Sequence, residues 1–254
     1  MKGQSALSVL PWTGERYIPE ISGILRLEHI HRYTFARQFV EGRTVLDIAC
    51  GEGYGSDFLA RQAARVIGVD ISGEAVSHAA ERYHRENLEF KQGSCSDIPL
   101  PDASVDVVVS FETIEHHQQH QEMMSEIRRV LRPDGIVVIS SPEKHEYSDV
   151  TGQKNIFHVK ELYRDEFEAL IQGWFAHQAI FGQRAAYGSA IFLESGVGRM
   201  SSNKTDEQPG TDSVGIDRPQ YLIAVASNAP LPEVTSSFCE QPISESEFAR
   251  QSNE

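Results

Sequence analysis

Two acids and a run of alternating glycines are the residues of this chain best spaced to do chemistry. The apolar run Val45-Leu46-Asp47-Ile48-Ala49 enters the turn Cys50-Gly51-Glu52-Gly53-Tyr54-Gly55. Alternate glycines open backbone torsions closed to other residues and leave room for a ligand to lie against the chain. One strand and one helix later, Val66-Ile67-Gly68-Val69 ends in Asp70. A carboxylate about 20 residues on, at the carboxyl end of the next parallel strand, is placed to hydrogen-bond a ribose diol. Together these features imply an adenosine-containing cofactor.

The spacing selects among such cofactors. A dinucleotide turn reads G-x-G-x-x-G and aims backbone N–H groups at a pyrophosphate. Here the glycines read Gly51-x-Gly53-x-Gly55, with Asp47 just ahead of them. An acid beside the turn repels a diphosphate and suits a cationic ligand. S-adenosylmethionine carries an ammonium and a sulfonium and no phosphate. With these residues and the segments below, the chain resembles the class I S-adenosylmethionine-dependent methyltransferases over residues 26–185 and the strand near 220–226.

The resemblance implies a role for each matching residue. Asp47 and the backbone of Ala49 and Gly51 would lie near the methionine ammonium, with Gly53 and Gly55 against the ligand. Asp70 would take the ribose hydroxyls and Ile71 would pack on the adenine face. Gly93–Leu100 matches the loop after the third strand, with Ser94 where the family carries an adenine-binding Asp, and Cys95 next. A serine hydroxyl can still accept a hydrogen bond. Phe111 would line the methionine arm. Apart from the resemblance, Arg32 and Tyr33 lie on the helix before the first strand and are candidates to meet the methionine carboxylate, which a guanidinium suits well. Trp12–Tyr17 would fold over the cofactor as a lid.

An already activated sulfonium asks the protein mainly for in-line positioning and exclusion of water. An oxygen acceptor also needs a base, and histidine is the side chain suited to that near neutrality. The segment Phe111–His120 supplies His116, His117 and His120. His116, at the helix start and the carboxyl end of the sheet, is the first candidate base. Its plainer account is a histidine that completes helix packing. His158, after Asn155-Ile156-Phe157, is the second candidate. The polar and aromatic segment Glu143–Asp149 is expected beside the acceptor. His-His-x-x-His could suit a metal on spacing alone, yet no further ligand shows in the pattern and no metal is expected.

The elements that must hold these residues follow from hydrophobic period. Helices are predicted at Leu25–Val40, Gly55–Ala63, Gly73–Arg85, Glu115–Leu131 and Lys160–Phe175. Strands are predicted at Thr44–Ala49, Arg65–Val69, Leu88–Lys91, Val105–Ser110, Gly135–Ser140, Ala176–Gln183 and Tyr221–Ser227. Their alternation implies an α/β, Rossmann-like, doubly wound seven-stranded sheet, mostly parallel. The antiparallel last strand is what the resemblance implies. The organisation reads as an N-terminal lid and helix (1–40), a core (41–227) with a mobile insertion (195–219), and a poorly ordered acidic tail (228–254).

Composition bounds the function. A net charge of −14 argues against a nucleic-acid surface, which needs clustered Lys and Arg. Cys50, Cys95 and Cys239 lack metal or disulfide spacing and suit a reducing cytoplasm. No export signal and no membrane-spanning run is evident, and homo-oligomerisation is left open. Thr13–Arg16, Glu28–Tyr33 and Ser110–His117 are similar to bacterial methyltransferases associated with cell-surface polysaccharide and glycosyltransferase systems. That similarity implies O-methylation of a sugar hydroxyl on a saccharide or glycan precursor. A methyltransferase for a small aromatic, lipid or quinone acceptor shares the core; an apolar wall at Lys144–His158 would favour it. A NAD-dependent dehydrogenase and a non-catalytic cofactor-binding protein are the remaining alternatives.

Overall fold

The computed structural model describes residues 23–152, 154–186, 216 and 218–239. Among the described residues, five α-helices, α1 (Ile24–Ala36), α2 (Tyr54–Ala60), α3 (Gly73–Arg82), α4 (His120–Val130) and α5 (Arg164–Trp174), accompany seven strands. These are β1 (Thr44–Ile48), β2 (Arg65–Asp70), β3 (Leu88–Gln92), β4 (Val105–Ser110), β5 (Leu131–Pro142), β6 (His177–Gln183) and β7 (Tyr221–Ser227). All seven form one sheet in the order β3-β2-β1-β4-β5-β7-β6. The first five pair in parallel, and β7 runs antiparallel to both β5 and β6. The expected α/β sheet is present, mostly parallel, with its last strand reversed.

Burial explains the pattern. Val105, Val107, Val108 and Val109 of β4 are fully buried, as a central parallel strand covered on both faces requires. One apolar cluster joins the sheet to α4 and α5 through Met123, Ile127, Phe167 and Ile171. The other joins it to α1 and α2 through Tyr33, Phe35, Ala36 and Leu59. Strand order reverses between β1 and β4, and ligands of such sheets bind at the carboxyl ends beside that reversal.

Several boundaries differ from expectation, and three have a visible cause. The helix predicted from Glu115 is broken: Ile114–His116 forms a single 3-10 turn, and α4 begins only at His120. The turn predicted at Arg132–Gly135 lies inside β5, where the pairing with β4 shifts register between Val105 and Val107. The helix predicted from Lys160 starts at Arg164, where the Glu166 carboxylate accepts from the Tyr163 N–H at 2.9 Å and caps it. Such a cap satisfies an otherwise unpaired first-turn donor.

The tail is placed, against expectation, at its beginning. Leu231 and Val234 pack on the α1-side cluster, and Gln38 bonds both the N–H and the carbonyl of Thr235. Residues 240–254, the lid at Trp12–Tyr17 and nearly all of the 195–219 insertion lie outside the described residues.

Candidate active site

A cleft of about 490 Å³ opens at the carboxyl ends of β1, β2 and β4, within the range of small-molecule sites. Its lining includes Asp70 and Glu112 and, among the described residues, no Lys or Arg. A diphosphate would find two carboxylates there and no compensating cation, whereas a cationic ligand is favoured. That charge balance, read from side chains facing one space, fits S-adenosylmethionine and not a dinucleotide.

The turn after β1 is built to carry a ligand. Ala49 and Gly51 both hold positive φ, 59° and 56°, and a Cβ on Gly51 would meet nothing within 4 Å. Asp70 Oδ2 accepts from the Gly51 N–H at 2.8 Å and Oδ1 from the Ser72 N–H at 2.9 Å. The acid is thereby fixed at the cleft before any ribose arrives. Tyr33, Ala49, Gly51, Asp70, Ile71, Ser94, Cys95, Phe111, His116 and His158 all line this one space. Ile71 is 72% exposed, as a side chain awaiting a planar ring would be. The Ser94 hydroxyl lies 2.9 Å from the Ser96 hydroxyl and accepts from the Ser96 N–H, so its first partners are in its own turn.

Four expected contacts sit elsewhere. Asp47 is fully buried behind the cleft wall, accepting from the Ser56 hydroxyl at 2.6 Å and the Tyr33 hydroxyl at 3.2 Å. Arg32 is buried one layer back, donating to Gln183 Oε1 at 2.8 Å with its guanidinium over the Tyr221 ring. Gly53 and Gly55 are packing glycines. A Cβ on Gly53 would stand 2.7 Å from Ala79 Cβ, and one on Gly55 2.0 Å from Tyr33 Cζ. Alternate spacing signals close approach without saying whether ligand or protein approaches. Gly55→Ala should therefore push Tyr33 from its slot between Tyr54 and Phe111. Overpacking of this kind costs about 1–3 kcal/mol, to be read as a lowered urea midpoint.

Burial lifts the Asp47 carboxyl to about 7, with Asp70 adding to the rise and the Ser56 and Tyr33 hydroxyls opposing it. The folded chain thus keeps a proton that the unfolded chain releases near 3.8. Its contribution to stability is complete below that value and is lost as pH rises through about 7. Asp47→Asn should gain stability relative to the native chain between about pH 5 and about pH 8. Urea unfolding at the two pH values checks this; an unchanged difference would remove the buried acid as its cause.

Sequence reading missed Glu112, Thr113, Tyr54, His29 and Tyr221, all of which line the cleft. Glu112 follows β4 with φ 51°, a left-handed conformation unusual outside glycine, and its Oε1 accepts from the Ser140 hydroxyl at 2.6 Å. Its place directly after Phe111 was the available signal. Tyr221 enters through the antiparallel register of β7, opposite Pro142, which no local pattern reveals.

The histidines divide. His120 is buried and bonds the His117 carbonyl; His117 Nε2 stands 3.4 Å from Cys95 Sγ and 3.3 Å from Met123 Sδ. His116 Nδ1 donates to the Phe157 carbonyl at 3.0 Å. That bond assigns the proton to Nδ1 and makes Nε2 the basic nitrogen. His158 lies edge-on to His116, ring centroids 5.1 Å apart, and stacks on Tyr147. Its Nδ1 donates to Glu161 Oε1 at 2.5 Å and its Nε2 accepts from the Asn155 amide at 2.9 Å. Glu115 is fully buried, and neither carboxylate oxygen has a hydrogen-bond partner. Burial and the Glu112 carboxylate raise its pKa well above the ordinary range. Among the described residues no helix is long and apolar enough to cross a membrane.

Comparison with known proteins agrees with this geometry. Residues 46–139 match the family described as a methyltransferase domain. A protein of Mycolicibacterium smegmatis described as a "probable S-adenosylmethionine-dependent methyltransferase" is 40% identical over 168 residues, 65% of either chain. The match thus spans just under two thirds of that relative. The fatty-acid O-methyltransferase of the same organism is 34% identical over 108 residues, 42% of this chain and 39% of that one. The crystal structure of a Thermotoga maritima S-adenosylmethionine-dependent methyltransferase superposes with a TM-score of 0.58 at 14% identity. It covers 80% of this chain and 91% of that one, and it supports the fold. With the sheet order and the Asp70 cleft in agreement, residues 46–139 match a methyltransferase domain, and the likeness to S-adenosylmethionine-dependent methyltransferases extends over 65% of the chain.

Proposed function

We propose that the chain transfers a methyl group from S-adenosylmethionine to a hydroxyl of a saccharide or glycan precursor. The observation that carries this reading is the polar wall facing the β1–β2 end of the cleft. From the segment after β5, it is Tyr147, Asn155 and His158 that line the space, joined by His116, Glu112 and Tyr221. Hydrogen-bonding groups on that wall suit an acceptor rich in hydroxyls.

The cofactor, when bound, supplies a methyl group already activated by positive charge. Asp70, held by two backbone N–H groups, would hold its ribose, and the acidic lining would favour its cationic end. Tyr33, Phe111 and Tyr147 line the cleft, and their rings would help to keep water from a bound acceptor. His116 Nε2 accepts the hydroxyl proton as the new bond forms. The Phe157 carbonyl at Nδ1 orients the ring and leaves Nε2 to face the acceptor. His158, with both nitrogens engaged, positions rather than abstracts.

A lipid acceptor is the second reading. Ile156 is 88% exposed and Val159 53%, on the same segment that supplies Asn155 and His158, and a fatty-acid O-methyltransferase is among the relatives. Incubating the purified chain with labelled cofactor and separate saccharides, fatty acids and phenols decides between them. Label in a saccharide ether is the expected outcome; label confined to a fatty acid or phenol would favour the second reading.

A further inference from the structure

We infer that Glu115, His116 and His158 form a binding site for a divalent transition-metal cation at the acceptor end of the cleft. The ligand atoms of these three residues lie within 4.8 Å of one another. Two imidazoles and a carboxylate are the donor set of open, three-residue metal sites, which leave positions for water or substrate.

The surroundings match what metal-bound histidines need. A ligating histidine usually gives its other ring N–H to a carbonyl or carboxylate, which fixes the tautomer and raises the basicity of the ligating nitrogen. Here His116 gives Nδ1–H to the Phe157 carbonyl, and His158 gives Nδ1–H to Glu161. Both rings therefore have Nε2 as the nitrogen able to ligate. Glu115 supplies the independent observation. Its carboxylate is fully buried with no hydrogen-bond partner, and His116 Nε2 lies 3.9 Å from its Oε1. A polar group so placed is costly unless something compensates it, and a cation held by the two imidazoles would do so. The Asn155 amide now at His158 Nε2 must swing aside, and it stands on a loop free of helix or strand.

The local spacing His116, His117 and His120 does not make this site; Glu115 and His158 come together across about 40 residues because the strand β5 and its following loop return to the 3-10 turn. The Val159 and Lys160 N–H groups both bond the Glu115 carbonyl and pin that return. The inference rests on the proposed acceptor site, since a cation there would polarise an acceptor oxygen as a Lewis acid. His116 Nε2 is then a ligand when the cation is present and a base when it is absent.

The test uses the full chain, treated with chelator, dialysed and titrated with Co²⁺, with S-adenosylhomocysteine affinity measured on every sample. One Co²⁺ per chain with visible ligand-field absorption is expected. His116→Ala and His158→Ala should abolish it, and Glu161→Gln should weaken it about 10- to 100-fold. His177→Ala, on the exposed end of β6, should leave it unchanged. Retained S-adenosylhomocysteine affinity shows that a variant is folded and separates this inference from the methyltransferase reading. A native chain that binds S-adenosylhomocysteine but no Co²⁺, or Co²⁺ binding untouched by the His116 and His158 changes, would overturn the site.

Discussion

His116→Ala is expected to slow methyl transfer about 10²- to 10⁴-fold, the usual loss when a general base is removed. The expectation follows from position and tautomer. His116 lines the cleft, and its Nδ1 is committed to the Phe157 carbonyl, so removing the ring removes the one basic nitrogen it offers. Cofactor affinity should change little, because Asp70, Gly51 and Ile71 belong to β1, β2 and the turns after them. Turnover and S-adenosylhomocysteine binding measured on one preparation separate the outcomes. Loss of both, with a lowered unfolding midpoint, would assign the ring to packing. Undiminished turnover would move the chemistry to His158 or to positioning without a base.

Asp70→Ala is expected to weaken cofactor binding about 10- to 100-fold. A hydrogen bond to a charged group contributes about 1.5–3 kcal/mol, and about 1.4 kcal/mol is one factor of ten. The same carboxylate also holds the Gly51 and Ser72 N–H groups, so its loss loosens the turn that lies beneath the ligand. Asp70→Asn keeps one acceptor oxygen and should fall between the two. Calorimetry with S-adenosylhomocysteine reads both variants, and native affinity in Asp70→Ala would remove the residue from the ribose.

These expectations draw on parts of the chain that were unevenly legible in its sequence. β4 and β7 were readable to the residue, because near-continuous apolar runs bounded by polar ends mark buried strands. Asp70 was readable because a strand end fixes where its last side chain points. The helix break at His117–Gln119 was not: the stripe of His116, His120, Met123 and Ile127 continues across it, and only the loop that bonds Glu115 tightens the first turn to 3-10. Asp47 and Arg32 carry the charges the chemistry wants, yet burial places them behind the wall, where they hold Tyr33 and Gln183 instead. Gly53 and Gly55 are required by Ala79 and Tyr33, partners distant in sequence. The pairing of Glu115 with His158 is likewise tertiary, carried by two backbone bonds with no periodic trace.

The central claim is that the acidic cleft beside Asp70 holds S-adenosylmethionine rather than a dinucleotide. Equilibrium titration of the native chain with S-adenosylhomocysteine and, separately, with NAD tests it most directly. The account predicts saturable binding of one S-adenosylhomocysteine per chain and no binding of NAD at the same concentrations. Tighter binding of NAD, or no binding of S-adenosylhomocysteine by a folded chain, would contradict it.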